Sequence, residues 1–206
     1  LELRGTDPAL ASCGPYDHMY THWYKKIQKG KHTKVRWLSA VTDTGLKRCH
    51  ELIARHVKFI LSPSVHSYRR RYSCSTCASA HVGAFALYKL DISDFFPSIT
   101  EDIVKLVVDI ALRNTELSHA MRDTMSRVIA EMCTITDPRP HMPKVRILPL
   151  GIPPSANISN SVLATFDLQV TSMCEKERII YSRYSDNLYF SKKDGHISKE
   201  FQIEVC

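Results

Sequence analysis

The sequence predicts an α+β protein, and three observations carry that expectation. Apolar residues recur at helical spacing over 46–61, 103–112, 121–132 and 162–173. Runs rich in β-formers fall between them, at 23–38, 85–92 and 179–191. The 206 residues, 44% of them hydrophobic, suffice for one substantial core or for a core and a small lobe. The strands are expected to form an antiparallel sheet backed by helices.

Composition narrows the partners. The formal net charge is +7, with basic residues crowded before residue 72, a balance that favours a polyanionic partner. Seven cysteines without a small-domain framework suit a reducing compartment. No terminal segment reads as a signal peptide, and no stretch approaches the roughly 18 apolar residues of a membrane span. The expectation is a cytoplasmic protein with no membrane segment.

Residues 1–21, with Gly5, Pro8, Gly14 and Pro15, read as a lead-in. From Trp23 to Leu38 two short strands flank Gly30 and bring together five lysines and one arginine. Such a hairpin can hold phosphate or can be a solvated basic edge. The helix predicted over 46–61 stops at Pro63, and Tyr68-Arg69-Arg70-Arg71-Tyr72 then interleaves cations with aromatics, a pattern that suits a nucleic-acid backbone and stacked bases as well as a solvated charge run. Cys74 and Cys77 have metal-ligand spacing with His81 beyond. No second such pair exists in the chain, so buried free thiols are the stronger reading.

Residues 85–92 read as a buried strand that ends in a carboxylate, Asp91. An unpaired buried Asp costs several kcal/mol, which implies either a strand end open to solvent or a cation. Phe96 precedes Pro97, which confines Phe96 to extended or turn conformations, and Ser98 with Glu101 forms a capping-box pattern. In the 121–132 helix, Met125, Val128, Ile129 and Met132 are expected to face the core. Pro138, Pro140 and Pro143 break the chain. In Ile147–Asn160, Gly151 permits close backbone approach or positive φ before the next helix, whose expected face is Val162, Leu163, Phe166, Val170 and Met173. Finally, strands at 179–184 and 188–191 flank Ser185-Asp186-Asn187, a hairpin turn. Asp91 and Asp186 thus each stand at a strand end or turn. Two converging carboxylates of this kind can hold two Mg²⁺ ions about 4 Å apart.

In this order the stretches resemble prokaryotic reverse transcriptases, most closely the retron type, over about residues 22–200. Asp91–Ile99 is similar to the first palm motif of that family, Leu148–Asn160 to the second, Tyr184–Asn187 to the third, and Cys77-Ala78-Ser79-Ala80-His81 to the retron Asn-Ala-x-x-His element. The resemblance implies a right-hand polymerase with fingers at 22–84 and palm at 85–206, which extends a DNA primer on an RNA template with dNTPs. It implies two Mg²⁺ ions, with Mn²⁺ as a substitute, on Asp91, Asp186, the Ile92 carbonyl and, weakly, Asn187. It further implies that Phe96 is a steric gate against the ribose 2′-OH, that Arg36 and Lys31 grip the triphosphate, and that Gly151 and Pro153 adjoin the nucleotide. Arg69, Arg70, Arg71, Ser155, Asn160 and Tyr184 would contact nucleic acid. A structured noncoding RNA, an effector protein and a role in antiviral defence follow from the retron likeness alone. Asn187, Leu150, Ala156 and Cys77 depart from the family's usual Asp, Gln, Pro and Asn. Those departures, and the absence of a thumb within the 206 residues, sustain an alternative: a catalytically weakened RNA-binding protein of the same fold.

Overall fold

The structure, a computed structural model, describes residues 14–29 and 32–206, with the backbone path alone at 27–29 and 32–34. The elements are α+β, all paired strands being antiparallel. The chain divides into two compact units. One comprises the described residues up to Phe59 together with Phe96–Ile158, the other Ile60–Phe95 and Ser159–Cys206.

In the first unit, β1 (Tyr20–Lys29) and β2 (His32–Val41) form the expected basic hairpin. α1 (Thr44–His56) starts because the Asp43 carboxylate accepts the Leu46 N–H at 2.7 Å, and buries Leu46, His50 and Ile53. It ends a turn earlier than the apolar spacing predicts, with Val57 extended. Phe95–Ser98 is a short helix, α3, so Pro97 does not hold Phe96 extended: the ring sits within the first turn, where its missing N–H costs nothing. α4 (Glu101–Ala111) begins at Thr100, without a side-chain cap, rather than at Ser98. It packs Val104, Val107 and Val108 against α5 (His119–Cys133), which buries Ser126, Ile129, Ala130 and Cys133. Of the face predicted as core, Ile129 is buried and Met132 half-buried, whereas Met125, at 45% exposure, and Val128 are exposed. Ile129 shares a heptad-like spacing with both faces, and only packing decides between them. Short strands β4 (Ile135–Thr136) and β5 (Arg146–Ile147) close the region, and Leu148 N–H donates to the Ile99 carbonyl at 2.8 Å.

The lead-in holds structure that composition concealed. Tyr20 is buried, and its hydroxyl and His50 Nε2 both donate to the Met132 carbonyl, at 2.7 and 2.8 Å. Asp17 accepts from Arg146 Nη1 at 2.8 Å, and the same guanidinium reaches Glu101 and the carbonyls of Glu131 and Thr134.

In the second unit, β3 (Ala86–Asp91), β7 (Asn187–Lys192) and β6 (Ile180–Tyr184) form a sheet in that order. One face packs Leu188, Phe190 and Tyr181 against Val170 and Cys174 of α7 (Ala164–Lys176) and Phe201 of α8 (Lys199–Glu204). β3 is therefore not a buried strand. It lies at the sheet edge and alternates, with Leu87 at 63% exposure and Lys89 and Asp91 also exposed. Among the described residues no helix is long and apolar enough to cross a membrane.

Burial lowers the His50 pKa, against the opposing Met132 carbonyl, and leaves Nδ1 without a partner. A folded pKa below the unfolded value means that the unfolded chain binds more protons, so His50 subtracts stability as pH falls below about 6.5. His50→Gln keeps a donor for Met132 but does not titrate. Its urea midpoint is expected to fall less than that of wild type between about pH 7 and about pH 5; equal slopes would rule His50 out as a contributor.

Candidate active site

The β6–β7 hairpin turns on Ser185 and Asp186 alone, Ser185 taking a left-handed φ of +58°. Asn187 is already in the strand. It pairs with Tyr184 on one side and with Asp91 on the other. Side chains directly opposite each other share a face, so Asp91, Asn187 and Tyr184 form one row across the sheet and Lys89, Tyr189 and Ser182 the next. The Ile92 N–H donates to the Asp186 carbonyl at 2.8 Å, which fixes β3 to the turn itself. Asp186 Oδ1 accepts from Asn187 Nδ2 at 2.8 Å. Lys89 Nζ lies 5.7 Å from the centroid of the Tyr189 ring. Burial raises the Tyr189 pKa, and the Cys77 and Cys74 thiols and the carboxylates of Asp186 and Asp91 add to it.

What holds the turn is a buried polar network. Arg183, fully buried on the core face of β6, uses all five of its N–H groups. Nε and Nη2 grip Asp167 Oδ1 and Oδ2 at 2.9 and 2.7 Å. Nη2 also reaches the Asn160 carbonyl at 3.2 Å, and Nη1 reaches Asn160 Oδ1 at 3.3 Å and the Ser185 carbonyl at 2.9 Å. The Ser185 N–H donates to Ser67 Oγ at 2.8 Å, and that hydroxyl donates to Asn160 Oδ1. Tyr181, whose pKa is raised by burial and then by Asp167, donates its hydroxyl to Asp167 Oδ1 at 2.7 Å. Both backbone groups of Ser185 are thereby tied down immediately before Asp186.

Over the opposite face lies α2 (Cys74–Ser79), capped by Ser73. Cys77 Sγ is 3.1 Å from Ser182 Oγ, and the His81 ring bridges Ser182 and Ser191 with 2.6 Å contacts at both nitrogens. With both ring nitrogens engaged by hydroxyls, the zinc reading has no support, and no cluster of three or more His, Cys, Asp or Glu able to hold a metal occurs among the described residues.

The remaining expected site residues meet different fates. Asn160 is spent on the network above, and Ser155, at the start of α6 (Ser155–Val162), donates to the Pro149 carbonyl at 2.7 Å; both are buried. Arg69 is held by the carbonyls of Ser62, Pro63 and Val65 and lies 4.2 Å from the Tyr72 ring centroid, whereas Arg70 and Arg71 are exposed. Arg36 is exposed on β2, opposite Lys25. Phe96 is half-buried and Pro153 exposed. Gly151 has φ +122°, and a Cβ there would lie 2.5 Å from the Ser39 carbonyl oxygen; the Ser39 N–H donates to the Leu150 carbonyl at 3.1 Å. The loop is thus sewn to β2 through backbone, and only glycine fits. Lys31 lies outside the described residues. Arg36, Phe96, Gly151, Pro153 and Ser155 belong to the first unit; Asp91, Ile92, Asp186, Asn187, Tyr184, Asn160 and the arginines 69–71 belong to the second.

No family model matches the chain. Curated relatives do. The retron Ec83 reverse transcriptase of Escherichia coli is 32% identical over 120 residues, 58% of this chain and 36% of that protein. The retron Mx65 reverse transcriptase of Myxococcus xanthus is 30% identical over 146 residues, 66% and 32% of the two. The chain is a relative of the retron-type reverse transcriptases. A further retron-type protein, the Ec86 reverse transcriptase of Escherichia coli, is 26% identical over 170 residues, 82% of this chain and 48% of its own. The chain thus spans about a quarter to a half of the retron-type relatives it matches. Among solved structures, a telomerase from Candida albicans in complex with a telomeric RNA fragment superposes with a TM-score of 0.49 at 11% identity, over 89% of this chain and 39% of that one.

Sequence reasoning missed Asp167 and Arg183. The signal was there: Asp167 sits in register with Ala164, Val170 and Cys174 on the buried side of its helix, and Arg183 shares the core face of its strand with Tyr181. Removing one partner strands the other charge. Arg183→Met is expected to cost about 3–5 kcal/mol, and the double variant with Asp167→Leu to recover most of it, read from urea midpoints. A double variant as unstable as the single one would mean that the network's hydrogen bonds, not its charges, carry the stability.

Proposed function

We propose that the chain carries the chemistry of an RNA-directed DNA polymerase, extending a DNA primer on an RNA template with dNTPs. The observation that supports this best is the placement of two carboxylates, Asp186 at the turn of a hairpin immobilised from behind by Arg183 and Asp91 on the neighbouring strand opposite Asn187. The donor set suits a hard divalent cation. Asp91 and Asp186 supply charged oxygens, the Ile92 carbonyl and the Asn187 side-chain oxygen neutral ones, and all are oxygen ligands. Asn187 Nδ2 is engaged with Asp186, so its oxygen is the atom left to face a cation.

On this reading Asp91 and Asp186 would hold two Mg²⁺, or Mn²⁺, ions, with Ile92 and Asn187 as weaker ligands. The chemistry such ions supply is activation of the primer 3′-hydroxyl for attack on the α-phosphate and charge neutralisation of the departing pyrophosphate. The protein's own part is to keep the two carboxylates fixed, which the β3 bond to the Asp186 carbonyl and the tethered Ser185 accomplish. Phe96 would exclude the ribose 2′-OH, Arg36 and Lys31 would hold triphosphate oxygens, and Gly151 and Pro153 would border the nucleotide. Arg70, Arg71 and Tyr184 remain candidates for nucleic-acid contact. Arg69, Ser155 and Asn160 would act there only through the backbone they brace. Fingers at 22–84, palm at 85–206, a cytoplasmic setting, and a structured noncoding RNA and effector protein in antiviral defence complete the proposal and rest on the resemblance.

A second reading is favoured by one residue. Asn187 leaves the turn one carboxylate short of the usual pair, which suits a weakened enzyme that binds RNA. Primer extension with Mg²⁺ separates the two. Asp186→Asn is expected to lower extension by at least about 100-fold, and Asn187→Asp to raise it and to increase the thermal shift produced by Mg²⁺. Equal extension by wild type and Asp186→Asn would sink the catalytic assignment, and an unchanged Mg²⁺ shift in Asn187→Asp would show that the turn does not face the cation. Gly151→Ala is expected to destabilise the fold, because Cβ would enter the Ser39 carbonyl; an unshifted melting temperature would show that β2 yields there.

A further inference from the structure

The Cys74-Ser75-Thr76-Cys77 stretch takes no part in the proposed chemistry, yet it is built against the strand that carries the turn. Cys74 is exposed at the first position of α2; Cys77, three residues on, is buried at 4% exposure. Both are free thiols, and each contacts β6 on the same face of the sheet. Cys77 Sγ lies 3.1 Å from Ser182 Oγ, and the Cys74 side chain is the largest cause of the raised Tyr184 pKa. Ser182 and Tyr184 stand four and two residues before Asp186. An exposed attacking thiol three residues before a buried resolving thiol, on one helical turn, is the arrangement that closes a reversible disulfide.

We propose that Cys74 and Cys77 are a thiol oxidation site that takes a hydroperoxide and passes the change to the Asp186 hairpin through β6. The Cys74 thiolate attacks the terminal peroxide oxygen: an S–O bond forms, the O–O bond breaks, and the alkoxide, or hydroxide from hydrogen peroxide, leaves and is protonated. The Cys77 thiolate then attacks the Cys74 sulfur. The S–S bond forms, the S–O bond breaks, and hydroxide leaves as water. Two thiols and one hydroperoxide thus give one disulfide, one alcohol and one water, and the peroxide takes up the two electrons.

Geometry makes this event felt beyond the helix. Side chains three apart on a helix hold their Cβ atoms roughly 5–6 Å apart, whereas a disulfide needs about 3.8 Å. The first turn of α2 must tighten, and both sulfurs lose their thiol hydrogens to the new bond. The Cys77 contact to Ser182 is released. His81, which bridges Ser182 and Ser191, then loses the orientation of one of its two hydroxyl partners.

The test treats the full chain with hydrogen peroxide and maps it with trypsin. Tyr72–Lys89 is bounded by Arg71 and Lys89 and contains Cys74 and Cys77 as its only cysteines. After peroxide this peptide should be two hydrogens lighter and refractory to alkylation, and it should revert with dithiothreitol. Cys74 carried to sulfinic or sulfonic acid, or joined to Cys206 while Cys77 stays alkylatable, overturns the site. Hydrogen exchange over 181–187 should rise on oxidation in wild type and not in Cys77→Ala; no change in a chain that has formed the disulfide overturns the link to the hairpin. The effect on synthesis rests on the polymerase reading: extension should fall about tenfold and recover on reduction, the scale of one or two lost hydrogen bonds at the turn. A chain inactive before peroxide refutes that reading and leaves the peptide and exchange measurements to decide the disulfide.

Discussion

The second unit depends on one buried ion pair. Arg183 and Asp167 are both inaccessible to water, and the charge of each is tolerable only because the other is present with Tyr181, Asn160, Ser67 and Ser185 to complete the hydrogen bonding. Such a pair contributes little net stability against a well-packed apolar replacement. What it confers is position. A guanidinium has a fixed plane and a fixed fork, so gripping Asp167 with one edge dictates where the other edge finds the Ser185 carbonyl. The α7 helix thereby sets the height of a turn on a different element, and the left-handed Ser185 is over-determined by bonds to both its N–H and its carbonyl.

The front of the sheet obeys a different economy. Asp91 is solvent-exposed, so its charge needs no compensating partner to exist there. An exposed carboxylate demands no cation, so on the polymerase reading a cation would be held by the nearness of Asp91 to the Asp186 turn instead. The Ile92 N–H bond to the Asp186 carbonyl ties the end of β3 to the turn. Asn187, between them in register, moderates the repulsion two unshielded carboxylates would feel, because it offers Asp186 a donor. A third carboxylate at that position would bind a cation more strongly and sit less comfortably without one.

Much of this was legible in the sequence, and what was not has identifiable causes. Helices 44–56, 101–111 and 119–133 and the hairpins appear where periodicity places them, because long apolar repeats bury themselves wherever the chain folds. The side that α5 buries was misjudged because Met125 and Val128 are as apolar as Ile129, and period alone does not choose between adjacent stripes. β3 was read as buried because Phe85, Leu87 and Leu90 are apolar; edge position is a property of strand order, which no single segment encodes. Asp91 at a strand end and Asp186 in a turn lie where the sequence places them, because both positions are marked by local pattern alone. Asp167 and Arg183 escaped because each looks ordinary alone and acquires meaning only from the other, 16 residues away.

The open edge of β3 gives Asp91 a second significance. Among the described residues that strand pairs on one side only, while the outer edge of β6 is occupied by Ser64 and His66. An unpaired strand with Phe85 and Leu87 exposed invites a second copy to align against it. Lys89 and Asp91, which follow Leu87 on the same exposed face, oppose that self-association by keeping water around the edge. A neutral residue at Asp91 would therefore remove one of the charges that keep this edge hydrated. On the polymerase reading, a loss of extension on substituting Asp91 would then have two physical origins, one in the site and one in the hydration of the edge that carries it.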